Sequence, residues 1–72
     1  MNMGFKGYSN FRSFTKSGKV LTLSGNLNDV IKFTEMWIHE SPYYDPNDSI
    51  IIEELMFDDL GRISEIKFIK VY

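Results

Sequence analysis

One amphipathic segment in the middle of the chain limits the folds that the rest of the sequence can adopt. Residues 27–40 predict a helix, because their apolar side chains gather on one side of a helical wheel with Trp37 near its middle. Asn26 or Asn28 can cap its start, and Ser41, which precedes a proline, ends it. Such a helix packs on a single surface, which the flanking segments must supply. Its apolar side comprises Val30, Ile31, Phe33, Thr34, Trp37 and Ile38.

The segments on either side of the helix both have the pattern of a β-hairpin. In the first, a turn at Gly18 sets Phe14 opposite Val20 and Phe11 opposite Leu23. In the second, two long β-rich runs flank a turn at Gly61. We therefore expect an α+β fold of the order ββαββ, in which two hairpins form an antiparallel sheet and the helix packs on one face.

A chain of 72 residues predicts one domain, spanning 1–72. Residues 1–9 are expected to form a loosely ordered segment at its N-terminal end. Because a chain of this size buries only about 60% of its unfolded surface, its core is small.

The second hairpin has more apolar residues than one helix can cover. Regular pairing from the Gly61 turn sets Ile52 opposite Phe68 and Ile51 opposite Ile69. The surplus face is then expected to be covered by residues 1–14 or by another chain, which makes a homodimer through this hairpin one expectation. One face would carry Ile51, Leu55, Phe57, Ile63, Ile69 and Val71, and the other Ile50, Ile52, Met56, Ile66, Phe68 and Tyr72.

Charge is distributed unevenly along the chain. All 10 acidic residues lie between Asp29 and Glu65, whereas the first 28 residues carry cations and no acid. Tyrosines anchor interfaces and acids steer basic partners, so the sequence predicts a protein-binding module. It would act as a phage-type inhibitor or adaptor on a basic site of a partner such as a nucleic-acid-binding enzyme. The predicted partner-binding residues are Tyr43, Tyr44, Asp45, Asp48, Glu54, Asp58 and Asp59.

The N-terminal segment offers an alternative, a site for single-stranded nucleic acid. Aromatic residues recur there at every third position with cations between them, as in a stacking platform beside a basic track. This alternative is less favoured, because a small domain also needs those aromatics in its core. Its candidate residues are Phe5, Tyr8, Arg12 and Lys16.

The sequence predicts neither an enzyme nor a metal or cofactor site. His39 follows Glu35 at the spacing of an ordinary surface pair on a helix, and no nucleophile accompanies it. Asp45 opens a pattern like a calcium loop, but Ile50 and Met56 stand where that loop needs Gly and Glu. The chain has no Cys and no apolar run long enough for a membrane span. We therefore expect a cytoplasmic protein without a membrane partner.

Overall fold

A computed structural model describes residues 7–72 of the chain. Within these residues, four strands form one antiparallel sheet in the order β2-β1-β3-β4, with a single helix after the second strand. The predicted ββαββ fold is therefore confirmed. In chain order the elements are β1 (Tyr8–Thr15), β2 (Val20–Ser24), α1 (Leu27–Glu40), β3 (Ile50–Phe57) and β4 (Ile63–Val71).

The helix begins and ends where its capping residues predict. The Asn26 side chain accepts a hydrogen bond from the backbone N–H of Asp29 at 3.2 Å, which satisfies one of the free donors of the first turn. At the other end, the backbone N–H of Ser41 still donates to the Trp37 carbonyl, and Pro42 then directs the chain away.

Both hairpin turns close as the glycine positions predict. Gly18 and Gly61 have φ values of +109° and +79°, in the region that disfavours other residues. The backbone N–H of Thr15 donates to the Lys19 carbonyl at 2.8 Å, and Asp58 donates to Arg62 at the same distance. The register next to each turn is the expected one.

Strand β1 lies inside the sheet, where it pairs with β2 on one side and with β3 on the other. The expectation that residues 1–14 cover a sheet face is therefore wrong for the part of this segment that the structure describes. Tyr8 and Ser9 also belong to β1, so the predicted loose segment 1–9 does not include them. Its residues 1–6 lie outside the described part of the chain.

Two β-bulges in β4 change the pairing that the sequence predicted. Ser64 and Ile69 are extra residues in the ladder, so Ile52 pairs with Lys70 and Glu53 pairs with Phe68. The expected pairs Ile52–Phe68 and Ile51–Ile69 are wrong for this reason. A third irregularity, in β2, sets Leu23 opposite Arg12 rather than Phe11.

The core lies between the helix and one face of the sheet, the helix-side face. Ser13 and Thr15 of β1 point to it, and their directly paired neighbours in β3 are Ile52 and Ile50. Tyr72 connects the chain end to the helix, because its hydroxyl donates to Glu35 at 3.2 Å. The residues buried in this layer are Ser13, Thr15, Val30, Thr34, Ile50 and Ile52.

Candidate functional site: the open face of the sheet

The face of the sheet that points away from the helix is mostly apolar, and the described residues leave most of it exposed, although its member Leu55 is only 6% exposed. We call this face the open face. Its members follow from the pairing, since residues directly opposite one another on neighbouring antiparallel strands share a face. They are Val20 and Leu23 of β2, Tyr8, Asn10, Arg12 and Phe14 of β1, Ile51, Glu53, Leu55 and Phe57 of β3, and Ile63, Ile66, Phe68 and Val71 of β4.

The bulges in β4 are the reason that this face is so apolar. Each extra residue reverses the alternation of side chains, so all the apolar residues of β4 that pair with β3 point to the open face. Glu65, Lys67 and Lys70 point to the other face. Seven apolar or aromatic side chains of the open face are between 50% and 63% exposed. These are Tyr8, Val20, Leu23, Ile63, Ile66, Phe68 and Val71.

A single ion pair lies near the middle of the open face, on the two central strands. The Arg12 guanidinium donates through Nε and Nη2 to Glu53 Oε1, at 2.7 and 2.6 Å. The guanidinium carbon also lies 5.0 Å from the centre of the Phe14 ring. The two side chains remain only partly exposed, and their charges cancel. The charged residues of the open face are therefore one cation and one anion in contact.

Aromatic stacking closes one end of the open face. The rings of Tyr8 and Phe57 lie 4.8 Å apart with an angle of 15° between their planes. Gly7, just before Tyr8, has a φ of +78°, and a Cβ atom there would collide with the carbonyl oxygen of Phe57. A glycine at this position lets the chain approach β3 closely.

Most of the predicted partner-binding residues lie at opposite ends of β3, some in the loop of residues 41–49 before the strand and the others in the turn of residues 58–62 after it. Tyr43, Tyr44, Asp45 and Asp48 surround one small cavity, to which Lys19 also belongs. Asp58 and Asp59 follow Phe57, the last residue of β3. The length of β3, about 23 Å at about 3.3 Å per residue, therefore separates them from the loop. The structure therefore brings the loop residues together but does not join them to the turn.

One cation, Lys19, lies beside the acids of the loop. The Lys19 ammonium lies 4.8 Å from the Trp37 ring centre and 5.6 Å from that of Tyr43. Asp48 accepts hydrogen bonds from the backbone N–H and the hydroxyl of Ser17, which fixes the loop against the first hairpin turn. Tyr43 is 78% exposed in this fixed loop.

The turn acids differ from one another in their partners. Asp58 accepts from the backbone N–H groups of Arg62 and Leu60, at 3.0 and 2.9 Å, and from the Arg62 side chain. These contacts, the Arg62 N–H first, hold the pKa of Asp58 below its ordinary value. Asp59 is exposed. Glu54, the remaining predicted residue, points to the helix-side face between Phe11 and Lys67.

The described residues of the alternative nucleic-acid site each have different neighbours. Tyr8 stacks on Phe57, Arg12 pairs with Glu53, and Lys16 lies in the first hairpin turn beyond the far end of β1. Phe5 lies outside the described residues. The cation of Arg12 is neutralised by its partner, so the described residues do not form a continuous basic track.

Sequence reasoning placed Ile51, Leu55, Phe57, Ile63 and Val71 correctly on one face but missed the rest of the open face. Val20 and Leu23 were not among the candidate residues, and Ile66 and Phe68 were expected on the same face as Ile52. The signal was present in β4, where the steps between successive apolar residues are three, two, one and two, for Ile63, Ile66, Phe68, Ile69 and Val71. A step of three where a strand requires two is the mark of a bulge.

Comparisons with protein-family models, with curated proteins and with solved structures found no significant match to this chain. Within residues 7–72, no helix is long and apolar enough to cross a membrane. The same residues contain no group of three or more His, Asp or Glu side chains arranged to hold a metal ion.

Proposed function

We propose that this chain is a small non-catalytic protein-binding module and that the open face is its binding surface. The observation that carries the proposal is the concentration of exposed apolar side chains on that one face. Monomeric proteins rarely expose contiguous apolar patches larger than a few hundred Å², and larger ones mark interaction sites. A cytoplasmic location belongs to the same proposal, in keeping with a chain that has no Cys.

The residue types on the open face support a protein partner. Aromatic anchors lie beside aliphatic side chains, as in the desolvated centre of an interface. A single-stranded nucleic acid needs a cationic groove along its backbone, and the Arg12 cation is already paired with Glu53. A basic partner would find no net negative charge on this face.

The loop before β3, which carries Tyr43, is a second candidate surface. Tyr43 is held in place between Pro42 and Pro46 and is highly exposed, so binding would cost it little conformational entropy. Docking of this loop on a basic site of a partner enzyme remains part of the proposal, with Asp45 as its exposed acid. Asp59 is also exposed but lies in the turn at the other end of β3.

Site-specific photo-crosslinking distinguishes these surfaces. A photoreactive phenylalanine derivative would replace Phe68 on the open face, Tyr43 in the loop, or Lys32 on the exposed side of the helix. The protein would be irradiated in cells that produce it at native levels. We expect protein adducts from position 68 and none from position 32, which serves as the matched control.

The other outcomes are equally informative. Adducts from position 43 alone would move the binding surface to the loop. Adducts that disappear after nuclease treatment would replace the proposal with nucleic-acid binding. Equal labelling at positions 68 and 32, or none at 68, would refute binding through the open face.

A further inference from the structure

We propose that the partner of the open face is a second copy of this chain. Two open faces would pack against each other about a two-fold axis that runs parallel to the strands, between β1 and β3. The product is a sandwich of two four-stranded sheets with a helix on each outer side. This inference rests on the proposed function, because it names the partner of the same surface.

The arrangement of side chains across the sheet carries the inference. Reading across the four strands, one row of directly paired residues is Leu23, Arg12, Glu53 and Phe68. The row has apolar residues at its ends and a cation and an anion in its middle. A two-fold axis between β1 and β3 reverses the row, so Arg12 of each copy lies over Glu53 of the other. The charges of the open face are therefore complementary to those of its own copy.

The same axis also matches the ends of this row. Leu23 of each copy lies over Phe68 of the other, so an aliphatic side chain packs on an aromatic ring. The neighbouring row, Val20, Phe14, Ile51 and Val71, is apolar throughout and matches itself in the same way. Packed sheets cross at about 30°, so the match is closest near the axis, where the charges lie.

The area of the open face is sufficient for a small dimer. Strands spaced about 4.8 Å apart, three of them about 26 Å long and one about 16 Å, give about 450 Å² per copy in flat projection. Two copies give about 900 Å², to which the relief of the side chains adds, close to the roughly 1,000 Å² of a specific interface. We therefore expect a dissociation constant on the order of micromolar.

The sheet edge is a poorer surface for a second copy than the open face. An exposed edge strand can pair with another chain, and β4 is an edge strand of 9 residues. However, its bulges at Ser64 and Ile69 interrupt the regular row of donors and acceptors, and Lys67 and Lys70 add charge. Bulges and lysines are the features by which natural edge strands resist pairing. The bulges that protect the edge also assemble the open face.

The test is a charge-swap experiment on two exposed positions that the axis brings together. Phe68→Glu and Leu23→Lys would each bury an unpaired charge in the interface and should weaken the dimer at least tenfold. An equimolar mixture of the two variants should restore it, because the new carboxylate of one chain faces the new ammonium of the other. Sedimentation velocity from about 1 to about 500 µM measures the assembly, and native mass spectrometry identifies the heterodimer.

Leu60→Glu is the matched control, since Leu60 is exposed in the β3–β4 turn, away from the open face. It introduces the same charge and should leave the dimer unchanged. Far-ultraviolet circular dichroism would confirm that each variant is folded. Restoration of the dimer on mixing would show the same independently.

Two results would overturn the inference. The first is a wild-type protein that stays at 8.4 kDa over the whole concentration range. The second is a dimer that Phe68→Glu does not weaken or that mixing does not restore. A monomeric protein that still gives adducts with another protein from position 68 would refute the second copy and keep the proposed function. A monomer without such adducts would refute both.

Discussion

The bulge at Ser64 makes a measurable prediction about how much Ile52 and Ile66 each contribute to stability. Regular pairing would place Ile52 and Ile66 on the same face, with similar burial. In the structure Ile52 is 0% exposed under the helix, whereas Ile66 is 53% exposed on the open face. Replacing each with alanine removes the same atoms from two different environments. The difference in the free energy of unfolding therefore reports the register directly.

The sizes of the two effects follow from burial. Ile52→Ala removes buried carbons and leaves a cavity, so it should lower the free energy of unfolding by about 3 kcal/mol. Ile66→Ala removes carbons that are already half in water and leaves no cavity, so the loss should stay below about 1 kcal/mol. A domain of this length has a total stability of about 4–11 kcal/mol, so both variants can fold.

Thermal unfolding followed by circular dichroism measures both variants. At about 4–8 °C per kcal/mol, Ile52→Ala should lower the Tm by about 12–24 °C and Ile66→Ala by less than about 8 °C. The protein should be kept near 1 µM, because association through the open face would add stability at higher concentration. Equal losses for the two variants would refute the bulged register and return Ile66 to the core.

Two further predictions concern Gly7 and the second hairpin turn. Gly7→Ala should lower the free energy of unfolding by about 1–3 kcal/mol in chemical denaturation, because the φ of Gly7 is +78° and a Cβ atom there would meet the Phe57 carbonyl. Gly25→Ala is the control and should cost less, because a Cβ atom at Gly25 would make only ordinary contacts. Equal costs would contradict the close approach of residue 7 to β3. Asp58 has a lowered pKa, so its charged form stabilises the fold above the unfolded value of 3.8, and this contribution disappears as the pH falls through the lower folded value. Asp58→Asn should therefore lower the Tm at pH 7 and have a smaller effect near pH 2; a pH-independent effect would contradict the assignment.

The sequence predicts the helix and the turns well because their signals are local. Asn26, Ser41 and Pro42 set the helix bounds within a few residues of themselves. Gly18 and Gly61 set the turns in the same way, through a φ that other residues avoid. Such features depend little on the rest of the chain, so a single sequence suffices.

The faces of the sheet were harder to predict because an error in register propagates along a strand. One extra residue at Ser64 moves every later side chain of β4 to the other face, and Ile69 reverses the alternation again. Regular alternation from the turn therefore assigned Ile66 and Phe68 to the helix-side face. The uneven spacing of the apolar residues carried the missing information.

The centre of the helix packing was also misplaced. The helical wheel put Trp37 near the middle of the apolar side, but Val30 and Thr34 are the buried residues and Trp37 is only half-buried. Thr34 can be buried because its hydroxyl donates to the Val30 carbonyl at 2.6 Å. Size and hydrophobicity ranked Trp37 first, whereas the burial shows that Val30 and Thr34 are the helix residues that are fully enclosed.

The central position of β1 has a consequence for the order in which the elements of the sheet can fold. Its pairing with β2 closes over a short turn, but its pairing with β3 joins residues that are distant in the sequence, such as Arg12 and Glu53, which are 41 positions apart. On a ribosome the first hairpin and the helix emerge before β3 is synthesised, so one edge of β1 stays unpaired until β3 has emerged. The closing of that long loop, rather than the formation of either hairpin, should limit the folding rate.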